Sequence, residues 1–173
     1  MDRHEREILE VLDSAVRSAA ATIEPIIAVV DRKLYGNPAD VLAWEAIPLQ
    51  CYGRQLPESI RSSWVFVLRA NVSTGAERHP NSHQRMMSFR GHGDFQTQPA
   101  REWASHHLTS DPSVPLEQRW ISIPRNVWHQ GVVGAVDWAV VSFHTVSEHE
   151  LIEERLAENQ ADPVQRRWYS GGR

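Results

Sequence analysis

The chain has 173 residues, 41% of them hydrophobic, with a formal net charge of −4. That is the size of one domain with decoration, and without a basic excess it excludes nucleic acid and anionic membranes as natural partners. The single cysteine, Cys51, forbids an internal disulfide and points to a cytosolic protein.

Residues 3–20 read as an amphipathic helix, with Ile8, Leu9, Val11, Leu12, Ala15, Val16 and Ala19 at three- and four-residue spacing. The charged N-terminus has no apolar segment of the signal-peptide kind, and no apolar run reaches a membrane span. Pro25 opens a second short helix, PIIAVVDRKL, which the turn residues GNPAD stop. From residue 44 the texture changes. AIPLQC alternates as a half-buried strand, with Pro48 marking an edge and Cys51 as a buried structural thiol. SWVFVLRA is apolar on both faces, as a buried strand is. RMMSF, DFQTQ, RWISIP and DWAVVSFHT follow as further short strands, punctuated by Gly and Pro. Residues 99–118, PAREWASHHLTSDPSVPLEQ, read as a long loop with one helical turn. SEHELIEERLAE, with Ser147 and Glu150 spaced as a capping box, reads as a C-terminal helix. The tail DPVQRRWYSGGR is expected to be loose unless Trp168 docks it.

The expected architecture is all-β: a single barrel or sandwich with helical extensions at both ends. The division runs 1–43 for the N-terminal helices, 44–147 for the barrel, and 148–173 for the last helix and tail. Seven scattered tryptophans suit a bulky core. Trp64, Trp120 and Trp138 are expected there.

TGAERHPNSHQRMMSFRG, residues 74–91, concentrates metal-ligand types. Glu77 and His79 are two apart and share a strand face. Pro80, Asn81 and Ser82 turn the chain. Gln84, Met86 and Ser88 then share one face, and His83 and Arg85 the other. A ligand at 77 or 79 can therefore meet one at 83 or 84 across a hairpin, and His129 in PRNVWHQ offers another from afar. Imidazole with carboxylate suits iron, manganese, nickel, copper or zinc. His144 and Ser142 share a strand face that can line a pocket, and Trp128 stands beside His129. His92, His106, His107 and His149 are expected in solvent. Arg69, Arg85, Arg90 and Arg119 are expected in ion pairs. No nucleophile elbow and no phosphate-cradling glycine loop is present.

This pattern resembles the cupin family. Aligned on Gly91, the glutamate of the first cupin motif falls on Gln84 and its His-x-His on Glu77 and His79. The second motif falls on IPRNVWHQ, with Pro124 as its proline and His129 as its histidine. ERHPNSHQ resembles the E-x-H-P-N-G-D-E run of some small cupins, and VVSFHTVSEHELIEE their closing strand and helix. The sequence departs from the pattern at Glu77, at Gln84, at Arg125-Asn126, which disrupts the Pro-x-Gly turn, and at Val133, which stands where asparagine is usual.

The resemblance, over roughly residues 45–155 as a one-domain span, implies a cupin barrel holding a divalent transition metal on Glu77, His79 and His129. Gln84 or His83 would complete the shell or move a proton, and Met86, Ser88, Trp128 and His144 would line the pocket. The partner would be a small organic molecule such as a carboxylate. Dioxygenase chemistry comes first, because two histidines and a carboxylate leave positions open on iron. A non-catalytic ligand-binding barrel and a cupin isomerase or lyase are the alternatives. A homodimer is a further expectation, since cupin barrels often pair.

Overall fold

The computed structural model describes residues 2–53, 56–156 and 164–168. Helix α1, Arg3–Ser18, is capped by the Asp2 side chain, which accepts from the Glu5 N–H at 2.8 Å. Its buried stripe is Leu9, Leu12, Ala15 and Val16. Helix α2 spans Ala20–Gly36 and buries Ile23, Ile27, Val30 and Leu34, each three or four residues apart. Pro25 therefore sits inside this helix and does not open it; the apolar stripe continues upstream of the proline and carries the helix with it.

Among the described residues eleven strands follow: β1 Leu42–Ala46, β2 Ser62–Leu68, β3 Glu77–Arg78, β4 Gln84–Arg90, β5 His92–Gln98, β6 Ala104–Thr109, β7 Trp120–Ile123, β8 Trp128–Val133, β9 Trp138–His144, β10 Ile152–Leu156 and β11 Val164–Trp168. They form two antiparallel sheets, ordered β1-β2-β9-β4-β7 and β11-β10-β3-β8-β5-β6. The mostly-β architecture expected from the sequence is present, with both helices at the N-terminal end.

The helices lie against the outer face of the five-stranded sheet. This explains why β2 and β9 are apolar on both faces. Val65, Val67, Ala139, Val141 and Phe143 pack with the helices. Leu68, Met86, Trp138 and Val140 face the other sheet with Phe95, Leu108 and Val133. Each fully buried side chain of this size contributes about 1.5–3 kcal/mol. Trp64, Trp120 and Trp138 are all buried. Gly93 lies under the Trp138 ring, where an added Cβ would come 2.2 Å from a ring carbon. The neighbouring Gly91 turns β4 into β5 at φ 86°.

Four expectations are corrected. The strand placed on AIPLQC ends at Ala46, and Leu49–Tyr52 is a 3₁₀ turn with Cys51 only half-buried. The loop over 99–118 contains strand β6, which pairs along β5 from His92↔Thr109 to Thr97↔Ala104. The C-terminal helix is replaced by strand β10. The Ser147–Glu150 capping box forms, but it closes only the 3₁₀ turn Glu148–Glu150. β10 then covers β3, pairing Glu154↔Arg78 and Arg155↔Glu77, and the Arg78–Glu154 ion pair at 2.8 Å rewards that register. The tail is ordered over Val164–Trp168, which pairs with β10. Residues 169–173 lie outside the described residues. No helix among the described residues is long and apolar enough to cross a membrane.

The arginines beside the strands tie the helices down. Arg85 makes two hydrogen bonds to Glu5, at 2.7 and 2.8 Å. Arg119 pairs with Asp13, which also accepts from Trp120 Nε1 at 2.9 Å. Arg90 reaches both oxygens of Asp31 at 3.0 Å. Arg69 donates to the carbonyls of Leu34 and Asn37 at the end of α2.

A candidate metal centre

Glu77, His79 and His129 converge inside the barrel, each offering a ligand atom within 4.8 Å of the others. They do not meet across a hairpin. β3 and β4 belong to opposite sheets, and Glu77 pairs in register with His129 on β8. His79 follows β3 directly, placed by Pro80-Asn81. The Asn81 side chain holds the next segment, donating to Glu150 O and accepting from Ile152 N at 3.1 Å.

Both imidazoles are oriented by the main chain. His79 Nδ1 lies 3.1 Å from Ile152 O, and His129 Nδ1 lies 3.0 Å from Val127 O. A carbonyl only accepts, so each Nδ1 carries a proton, which leaves each Nε2 as the nitrogen that can bind a metal. His129 Nε2 is buried with no hydrogen-bond partner among the described residues and stands 3.5 Å from Glu77 Oε1. Phe95 stacks on the His129 ring at 5.6 Å. The second carboxylate oxygen of Glu77 pairs with Arg155, whose guanidinium also bonds Glu153 and Thr74 O.

Asn126 corrects one sequence reading. Arg125-Asn126 does not break the turn that a Pro-x-Gly would make. Asn126 adopts φ 63°, the left-handed conformation glycine would supply and asparagine tolerates. Its N–H donates to His79 O at 3.1 Å, so the turn on one wall holds the ligand-bearing segment on the other.

Burial and field keep the donors ready. Burial raises the Glu77 carboxyl, but His129 and Arg155 outweigh it and hold the group below the usual carboxylate range. Burial, then the His129 ring, lower His79 to about 4. Burial drives His144 well below its ordinary value, with His79 adding to the effect. These two rings are neutral near pH 7, the form in which imidazole binds metal. An orphaned buried acceptor, two presented nitrogens and an ionised carboxylate fit a divalent transition metal.

A small cavity of about 30 Å³ adjoins the cluster. Glu77, Gln84, His129 and Arg155 form its polar side, and Phe66, Met86, Phe95 and Val140 its apolar side. The phase of β4 decides between the two candidates at 83 and 84. Gln84 faces inward. His83 faces α1, with Nε2 2.6 Å from Ser122 Oγ and 3.8 Å from Glu5. Arg85 follows His83 outward because both lie on the helix side of the strand.

The remaining pocket candidates divide. Met86 lines the cavity. Ser88 is buried away from it, accepting from Trp138 Nε1 at 2.8 Å and donating to Gly91 O. Trp128 lies on the opposite face of β8 from His129, under the Arg78 guanidinium at 4.6 Å. His144 stands behind the cluster, its ring 5.0 Å from that of His79. Sequence reading missed Arg155 and Glu153, because a helix was expected where β10 runs. It also missed Phe95, which no polar motif marks.

No protein-family model matches the chain, and no curated protein sequence matches it. Solved structures do. Recombinant pro-11S globulin of pumpkin matches with TM-score 0.52 and 19% identity over 70% of this chain and 29% of that one. The coconut allergen cocosin matches with TM-score 0.50 and 16% identity over 69% and 29%. CapF, solved with the inhibitor 3-isopropenyl-tropolone, matches with TM-score 0.50 and 14% identity over 66% and 31%. The chain thus spans under a third of each of these proteins. All three are cupin-fold proteins, and at such identities the likeness shows the fold alone.

Proposed function

We propose that this chain, a cupin-fold barrel, is a metal-dependent enzyme that acts on a small organic molecule, with dioxygen chemistry as the first reaction class to test. One observation carries the reading: two imidazoles and a carboxylate meet within 4.8 Å, and a buried nitrogen among them has no partner among the described residues. Glu77, His79 and His129 would hold the ion. Once bound, an iron or manganese ion would supply Lewis-acid and redox chemistry at positions left open to substrate.

The chain's own residues do the rest. Ile152 O and Val127 O fix the two imidazole tautomers. Arg155 balances the Glu77 charge and borders the cavity. Phe66, Met86, Phe95 and Val140 exclude water from the opposite side. Gln84 brings a neutral oxygen to the same space.

The test is elemental analysis of purified protein beside His79→Ala and His129→Ala. Near-stoichiometric metal in the wild type, lost in both variants, is the expected result; oxygen uptake with candidate carboxylates then tests the reaction class. A wild type that holds no metal, and takes none on reconstitution, sinks the enzyme reading. It would favour a ligand-binding barrel, a reading supported by the Arg155 ion pair already occupying one oxygen of Glu77.

A further inference from the structure

Gln84 Oε1 is the second buried acceptor of the barrel without a partner among the described residues, and it belongs to a cavity-lining side chain only 4% exposed. Its orientation has a cause. In register, Gln84 pairs with His144 and Met86 with Ser142 across β4 and β9. Gln84 Nε2 donates to Ser142 Oγ at 3.4 Å, and Ser142 Oγ lies 2.8 Å from His144 Nε2. On the other side of the ring, Nδ1 lies 3.2 Å from Ser82 Oγ, which donates to His83 O at 3.2 Å and accepts from Thr145 N at 3.1 Å.

With the Ser82 hydroxyl on the His83 carbonyl, Ser82 accepts from His144 Nδ1–H and Ser142 donates to His144 Nε2. The Ser142 oxygen then accepts from the Gln84 amide nitrogen. The amide nitrogen is thereby held away, and the amide oxygen is turned to the cavity. A buried acceptor without a donor costs free energy unless what fills the cavity supplies one.

We propose that Gln84 selects a ligand bearing a hydroxyl, which donates to the amide oxygen, and that Ser142 and His144 are the residues that position this amide. The ligand class is a small hydroxy acid, its carboxylate left to the proposed metal. The assignment rests on the proposed metal-site function and deepens it. Gln84 here accepts from substrate; it is not a ligand of the metal.

The experiment is calorimetric titration of metal-reconstituted protein with acetate and with glycolate, which differ by one hydroxyl. The wild type is expected to bind glycolate about tenfold tighter, the scale of one buried hydrogen bond. Gln84→Leu should bring the ratio to about one with metal content unchanged, and Gln84→Glu, which keeps an acceptor, should preserve the preference. Ser142→Ala should reduce the ratio several-fold, and Ser142→Thr should restore it, a rescue that loss of packing alone does not predict. The proposal is overturned by equal or absent binding of the two acids to the wild type, or by a ratio that survives Gln84→Leu. Loss of metal in Gln84→Leu would overturn it too, by placing Gln84 in the metal shell. An unchanged ratio in Ser142→Ala would remove the positioning role. If the wild type takes up no metal, the enzyme reading fails separately. The same titrations on the metal-free protein then decide the Gln84 assignment by the same ratios.

Discussion

On the outer face of the five-stranded sheet, half-buried carboxylates meet buried cations. Glu5 receives Arg85 and Ser122, and Asp13 receives Arg119 and Trp120. Inside the barrel, two buried atoms have no hydrogen-bond partner among the described residues: His129 Nε2 on β8 and Gln84 Oε1 on β4. The outer face has one lapse of its own, a donor at Arg85 Nη1. The contrast separates a seam built to stay closed from a chamber built to receive something. In the seam, donors and acceptors come from the chain itself, so nothing need be added. In the chamber the chain leaves two buried polar atoms unpaired among the described residues.

The largest effect should come from opening the seam. Asp13→Ala strands the Arg119 guanidinium, 6% exposed, and the Trp120 N–H. Removing one partner of such a pair costs about 3 kcal/mol. Urea unfolding should show that loss, while metal content stays at the wild-type level because the seam does not touch the cluster. The double variant Asp13→Leu with Arg119→Met should recover much of it, since no buried charge is left behind. A single variant that also lost its metal would join the two regions and break the comparison.

Emptying the chamber comes next. A ligand that binds only the native state at a hundredfold excess over its Kd adds about 2.7 kcal/mol. Chelation of the reconstituted protein should therefore lower the unfolding free energy by about that amount, and by the same amount in Asp13→Ala. A metal increment that shrank in the seam variant would show the regions to be coupled.

Acid should distinguish the faces by where stability is lost. His79 and His144 have depressed values, so the unfolded chain takes up protons first, from about pH 6.5 downward. In metal-free protein, stability should decline as pH falls from there toward the His79 value of about 4. Glu5 and Asp13 are depressed too: burial raises both, but Arg85 and Arg119 with their hydrogen-bonding neighbours win. Their contribution is complete above the unfolded carboxylate range, about 4, and disappears only below it. His144→Phe should flatten the upper part of the decline and leave the lower part, if the variant folds.

These two faces were not equally legible in the sequence. Alternation put Gln84, Met86 and Ser88 on one side and His83 and Arg85 on the other, but alternation has no sign, so the choice of inward residue waited for the helices. That Glu77 and His79 share a face was legible in their two-residue spacing, and His129 was joined to them by the resemblance of IPRNVWHQ to the second cupin motif. Arg155 was not legible, because IEERL has neither a clear helical nor a clear strand period, and its state is decided by the open side of β3. Asn126 looked like a broken turn because identity was read without conformation; its φ of 63° keeps the turn. The strand in the segment 99–118 was hidden because β6 is an edge strand with largely exposed side chains, which leaves little apolar alternation to see.

The smallest predicted effect makes the sharpest contrast. In metal-free protein, His129→Leu removes an imidazole whose Nε2 is buried without a partner, and that relief is worth about 1–3 kcal/mol. It also removes the Nδ1 bond to Val127 O, a loss of about 1 kcal/mol. The two oppose each other, so denaturation of the metal-free variant should fall within about 2 kcal/mol of the metal-free wild type. With metal present, only the wild type should gain. A residue 1% exposed in a barrel core that is cheap to lose empty and costly to lose loaded is one whose position answers to a ligand. A large loss in the metal-free state would instead make His129 part of the packing, as the stacked Phe95 ring would then suggest.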